Sequence, residues 1–190
     1  MNANFNDDQI NQTPIDLELD KAQIELQEKE DAAEVEIEEL LKTLNIDSRR
    51  DERIIAFYFV YAVDRCDYTA SLESVADNFS RGYNLTVPKT SYAFKIANGT
   101  IENRNEIDEK IKPYLKNWKL ERLGCCTLLI IRMAMWELEQ TGTIASIVIN
   151  EAVELAKIFA EKDAFKFVNG LLDEYCKKNG LKSTKFEGQE

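Results

Sequence analysis

A chain of 190 residues with only three prolines and seven glycines has few places to turn tightly. Those two residues supply most of the unusual backbone geometry that turns need. Their scarcity, with apolar residues recurring at three- and four-residue spacing, predicts long helices joined by short loops. Candidate helices span about 16–45, 49–65, 70–82, 88–101, 104–117, 122–140, 146–160 and 163–179, and no strand-like alternation persists. With 44 % hydrophobic residues the chain can bury one core and carry an appendage. Its most apolar stretch, Leu123 to Leu138, is shorter than a membrane span and carries Arg132 and Glu137. That stretch reads as the central buried helix of an all-α bundle.

Net charge is −11, and all of the excess lies in the first quarter. Residues 1–47 hold 14 Asp and Glu against 3 Lys and Arg, whereas residues 48–190 hold 21 of each. The expected organisation is an acidic arm over 1–47, a neutral helical domain over 48–179 and a polar tail over 180–190. Within the arm, Leu19, Ala22, Leu26, Ala33, Ile37, Leu40 and Leu44 fall on one stripe opposite a glutamate-rich face. Residues 1 to about 14 are polar and expected to be disordered.

The composition removes much enzyme chemistry. Histidine, the commonest general base, is absent. There is no glycine-rich phosphate loop and no GxSxG elbow. Glu151 and Glu154 flank one helical turn, a spacing typical of surface charge. The four cysteines, Cys66, Cys125, Cys126 and Cys176, show no CxxC spacing. They are expected to be buried free thiols, which suits a reducing cytosol. No basic patch followed by an apolar run opens the chain, so no secretion signal is visible and a cytoplasmic location is expected.

One constellation points towards RNA. Arg49, Arg50 and Arg53 open the second helix, with Arg49 and Arg53 one turn apart on a shared face. Tyr61 lies two turns further along that face. Arginines for phosphates beside an aromatic ring for a base are what single-strand recognition needs.

Two C-terminal segments are more specific. INEAVELAK and, after a short break at Lys162 and Asp163, KFVNGLLDE hold an Asn169-Gly170 step inside an apolar helical frame of Phe165, Phe167, Val168, Leu171 and Leu172. Asn-Gly is poor helix chemistry, so a helix that keeps it has small or polar atoms where something comes close. These segments closely resemble the C-terminal signature of the NusB family of bacterial transcription antitermination factors. RRDERIIAFYFVYAV, Gly99 in KIANGT, IDEKIKPYLKNW and LLIIRMAMWEL resemble further family elements in the same order, so the resemblance covers about Ser48 to Lys178.

The resemblance implies an all-α fold of two packed three-helix bundles, no catalytic activity and no cofactor. It implies pairing with the ribosomal protein NusE, joint binding of boxA RNA in ribosomal RNA leaders, and suppression of termination when the complex is loaded on RNA polymerase. The family's RNA surface corresponds here to Arg49, Arg50, Arg53, Tyr61, Asp163, Lys166 and Asn169. The chain departs from the family pattern at Asp51 and Glu52, which interrupt the basic cluster, and at Trp136, which replaces a tyrosine. An alternative reading is a protein-interaction adaptor that keeps the helical frame without RNA binding.

Overall fold

The computed structural model describes residues 14–116 and 119–181. Among the described residues every regular element is helical. They fall into two units: helix α1 (Pro14–Lys42), and a body that begins at Thr43. On α1 the described side chains from Gln23 to Glu36 are exposed, Ile24 and Val35 among them. The segment 1–13, expected to be disordered, and most of the tail lie outside the described residues.

The body starts with a capped turn. The Ser48 hydroxyl accepts from the Asp51 backbone N–H, and the Asp51 carboxylate accepts from the Asn45 N–H at 3.0 Å. This cap launches α2 (Arg49–Arg65). Helix α3 (Leu72–Tyr83) and α4 (Tyr92–Glu102) open on Ser71 and Ser91 in the same way. Helix α4 starts later than periodicity predicts, because a turn from Pro88 to Ser91 precedes it. Helix α5 (Arg104–Ile111) ends early, where Pro113 draws the chain into a 3-10 turn at Lys112–Tyr114. Helices α6 (Cys125–Gln140), α7 (Ala145–Phe159) and α8 (Ala164–Lys178) complete the body.

Helix α2 packs on α3 and α4, and α6, α7 and α8 pack on one another. The two groups meet where α6 crosses α2 and α4. Phe59, Phe79, Ile55, Ile96, Ile130, Ile131 and Leu172 are fully buried at the centre. Each such side chain contributes about 1.5–3 kcal/mol of burial. Every residue of α6 from Leu129 to Leu138 is buried, which makes it the central helix its composition predicts. Its two charges are matched by partners. Arg132 donates from Nε and Nη2 to the two Asp108 oxygens of α5, both at 2.7 Å, and Glu137 receives Arg53.

Two glycines admit close neighbours. A Cβ on Gly99 would lie 2.0 Å from the Trp136 ring, so this glycine makes room for the tryptophan. At the start of α6, Gly124 has no side chain with which to cap. Glu161, from the break between α7 and α8, lies there instead, held by the Thr127 hydroxyl at 2.7 Å. A carboxylate at that end also complements the helix dipole.

The expectation of buried thiols holds only for Cys176. Cys66 and Cys125 are exposed and Cys126 is half-buried, all of them free. Cys66 follows the end of α2 and Cys125 opens α6, where the chain reaches the surface. Partial burial and the neighbouring Asp64 carboxylate, 3.5 Å away, push the Cys125 thiol up to about 11.

Candidate nucleic-acid interface

The three arginines at the start of α2 meet three different fates. Their side chains are 68 %, 52 % and 7 % exposed at Arg49, Arg50 and Arg53 respectively. Arg53 turns inward. Its Nε lies 3.1 and 3.0 Å from the two Glu137 oxygens, its Nη2 donates to the same carboxylate, and its Nη1 donates to the Arg49 carbonyl at 3.1 Å. The Tyr92 hydroxyl donates to Glu137 at 2.7 Å and also meets Thr143. A buried ion pair needs this many hydrogen bonds to offset the desolvation of both charges. Arg53 is therefore a fixture of the α2–α6 contact and offers no open face.

Arg49 and Arg50 point outward. Arg49 pairs with Glu52 and lies 4.5 Å over the Tyr92 ring. Arg50 reaches Glu154 of α7 at 3.4 Å. The acids that interrupt the basic cluster have structural partners. Glu52 is buried, and its carboxylate accepts from the Tyr92 and Ala93 N–H groups at 2.7 and 3.3 Å, capping α4 from another helix. Asp51 holds the turn before α2.

Tyr61 is 37 % exposed. Its ring stacks on Phe57 at 6.2 Å, and Phe57 stacks on Phe159 at 4.6 Å. Tyr61 thus has an open edge and a rigid aromatic backing on α7. Asp163, Lys166 and Asn169 are all exposed at the start of α8. Asp163 adopts a left-handed conformation with φ 67°, and its carboxylate meets the Lys166 ammonium at 2.7 Å.

Helix α7 joins the two ends. Glu154 pairs with Arg50 on one side and with Lys157 at 2.6 Å on the other. The ammonium groups of Lys157 and Lys166 both lie 5.7 Å from the Phe165 ring centre. A continuous track therefore runs from Arg50 through Glu154, Lys157 and Phe165 to Lys166. Lys157 and Phe165 were not among the residues that sequence singles out for RNA. Lys157 stands inside INEAVELAK, so the motif contained it. Phe165 looked like part of the apolar frame, yet it is only half-buried.

Chemically, the track offers exposed cations at intervals, with one half-buried aromatic ring, Phe165, between Lys157 and Lys166. Its acids, Glu154 and Asp163, moderate the field and hold the cations in place. Each of these surface pairs is worth little to stability, so its cation can be drawn to another anion at small cost.

Comparison with known proteins gives a consistent result. Residues 50–177 match the model of the NusB family. The chain is 34 % identical over 130 residues to the transcription antitermination protein NusB of Macrococcus caseolyticus, covering 68 % of this chain and 97 % of that protein. It is 37 % identical over 134 residues to the NusB protein of Geotalea uraniireducens, covering 67 % and 92 %. Among solved structures, T. maritima NusB superposes with a TM-score of 0.58 at 29 % identity, over 69 % of this chain and 92 % of that one. A chain in the crystal structure of a plectonemic RNA supercoil superposes with a TM-score of 0.61 at 26 % identity, over 70 % and 97 %. The matched region covers all of α3 to α7 and nearly all of α2 and α8, leaves α1 outside, and contains both ends of the track: this chain belongs to the NusB family of transcription antitermination factors.

Proposed function

We propose that this chain binds boxA-type single-stranded RNA of ribosomal RNA leaders, in company with the ribosomal protein NusE, as part of an antitermination complex on RNA polymerase. The observation that carries this reading is the track along α2, α7 and α8. Arg49, Arg50, Lys157 and Lys166 supply phosphate contacts, and Tyr61 and Phe165 supply faces for bases. Asn169 adds an exposed amide at the far end. Arg53 serves from beneath, by fixing the start of α2 against α6. Asp163 orients Lys166.

The body is neutral, and its track cations are partly matched by acids. Contacts of that strength alone give affinities on the order of 10⁻⁴ to 10⁻⁶ M. A basic partner would add phosphate contacts on a joint surface. The pair with NusE is therefore expected to bind boxA RNA at least roughly ten-fold more tightly than this chain alone, a gain of about 1.4 kcal/mol.

The pairing of Arg49, Arg50 and Lys166 with Glu52, Glu154 and Asp163 favours the second reading, an adaptor without RNA binding. Titration of boxA RNA at several salt concentrations, with and without NusE, separates the two. Salt-dependent binding strengthened by NusE supports the first. RNA binding absent at low salt, alone and with NusE, supports the adaptor.

A further inference from the structure

Trp136 carries a hydrogen-bond donor that the protein leaves unused. The residue is 8 % exposed. A buried indole N–H ordinarily meets an acceptor. Among the described residues no hydrogen bond reaches Trp136 Nε1. Those residues also hold no sealed-off side-chain nitrogen or oxygen that lacks a partner, so this N–H faces open space. The indole lies across Gly99, where a Cβ would stand 2.4 Å from Nε1. It occupies the position of the tyrosine in the family pattern, so an indole donor there is a feature of this chain.

The open space is a groove of about 730 Å³ between α4 and the last turns of α6, with Trp136 and Gly99 in its wall. Lys95 stands one turn before Gly99 on α4, and Gln140 one turn after Trp136 on α6. Both are exposed, and Asn98 beside them is half-buried. None of these three side chains has a hydrogen bond or ion pair among the described residues. Buried Phe94 adds an apolar surface. Glu102 stands at the far end, two turns from Lys95 and roughly 10 Å along the helix.

An indole N–H and an ammonium group can only donate, so together they call for an acceptor that carries negative charge. A polyphosphate or a nucleic-acid backbone fits poorly. The second lysine of the groove, Lys89, already meets Glu73 at 3.5 Å, and Glu102 would repel a further negative charge. A single carboxylate fits, but a free one would leave most of the groove empty. A few residues of polypeptide fill it, and the Asn98 and Gln140 amides can both donate to and accept from a peptide backbone. We infer that this groove docks an extended peptide segment of a partner protein, with a carboxylate on the Trp136 N–H and Lys95, an apolar side chain on Phe94 and a basic side chain beside Glu102. A chain in the polyproline II conformation returns to one side every three residues, about 9 Å, which matches the separation of Lys95 and Glu102. The acid and the base of the partner segment therefore stand about three residues apart.

The test titrates the full chain with the blocked tetrapeptides Glu-Leu-Pro-Lys and Lys-Pro-Leu-Glu, one for each direction along the groove. The Trp136 indole N–H resonance reports occupancy in proton–nitrogen correlation spectra. Trp136→Phe assigns it, or Trp118→Phe assigns it by elimination between the chain's two tryptophans if the first variant does not fold. One of the peptides is expected to shift this resonance saturably. Replacing its Glu by Gln, or Lys95→Ala in the protein, should weaken binding roughly three-fold or more, the size of a favourable exposed charge pair. No shift with either peptide overturns the inference. So does an equal shift with acetate, which would make the groove a site for small carboxylates, and so does a response to boxA-type RNA in place of peptide. Binding that is unchanged in both the Gln peptide and Lys95→Ala removes the carboxylate and overturns it as well.

Discussion

Arg50 and Arg53 stand three residues apart on one helix, and each faces a glutamate, yet they live in different solvents. Arg53 and Glu137 are buried with every polar atom engaged. Arg50 and Glu154 meet at 3.4 Å in water. The first pair holds α2 to α6 and is expensive to break, because either partner alone would be an uncompensated buried charge. The second pair is cheap to break and its arginine is free to exchange partners. The same residue types in one short segment thus divide into a structural clamp and a surface that can be used for binding.

The largest effect should come from the clamp. Arg53→Ala or Glu137→Ala is expected to cost about 3–5 kcal/mol of stability, measured by urea denaturation. A double replacement by apolar residues of similar volume should recover much of that loss. If Arg53→Ala unfolds like the wild type, the clamp is not one.

A sharper test of the other side replaces Arg49 and Arg50 together by Ala. Stability should change by no more than about 2 kcal/mol, up to about 1 for each pair, because buried Glu52 keeps the Tyr92 and Ala93 N–H groups, while the salt slope of RNA binding should fall by roughly two units. Unchanged slope with unchanged stability would leave those arginines idle and move the RNA site elsewhere.

Smaller again is the change expected on α7 and α8. Phe165→Ala should weaken RNA by about 1–3 kcal/mol with little change in slope, as a stacking contact would. Lys157→Ala should instead lower the slope by about one unit. Loss of slope in Phe165→Ala would mean that the ring mainly positions its two lysines.

The smallest effect reads a second polar cluster, at the opposite end of α2. There Tyr68 donates to Asp64 at 2.7 Å, Arg132 reaches Tyr68 at 3.2 Å, and Cys125 sits beside Asp64. Burial and the Asp64 hydrogen bond push Tyr68 up to about 12, and Cys125 is raised to about 11. Both groups are neutral when protonated and hold that proton more tightly folded than unfolded. Their contribution is full below the unfolded thiol value, roughly 8.5, and is lost as pH rises through about 11 and 12. Thermal midpoints should therefore decline above about pH 9, and Cys125→Ser should flatten the early part of that decline. An identical profile in the variant would remove the thiol from the account.

Much of the fold was legible in the sequence because helices report themselves locally. Boundaries were less so: periodicity set the start of α4 too early, before the Ser91 cap, and overran the end of α5 that Pro113 marks. Arg132 stood out as a charge in the most apolar stretch, and the carboxylate it meets is Asp108. What sequence did not disclose is which faces meet. Arg49, Arg50 and Arg53 look like one cluster in a line of text, but 84 residues separate Arg53 from the acid that takes it inward. Asp51 and Glu52 looked like a defect in a basic patch, yet one holds the turn before α2 and the other caps α4. Lys157 and Phe165 escaped notice because one lay in a motif already explained and the other in an apolar frame. Their proximity is a property of how α7 packs on α8.

The 84-residue reach of Arg53 also bears on how the chain is made. During synthesis α2, α3 and α4 leave the ribosome long before Glu137 does, and Glu161, which covers the start of α6, follows later still. Until then the first helix group carries a cation with no counter-charge on the face it must bury. It is therefore expected to wait, partly formed, and to close only when α6 arrives. A fragment ending before Gly124 should show little cooperative melting by circular dichroism, and one that melts sharply would show that the two groups fold independently. On this account the joint between the bundles is the step that commits the nascent chain, and the track of cations on its surface exists only after that commitment.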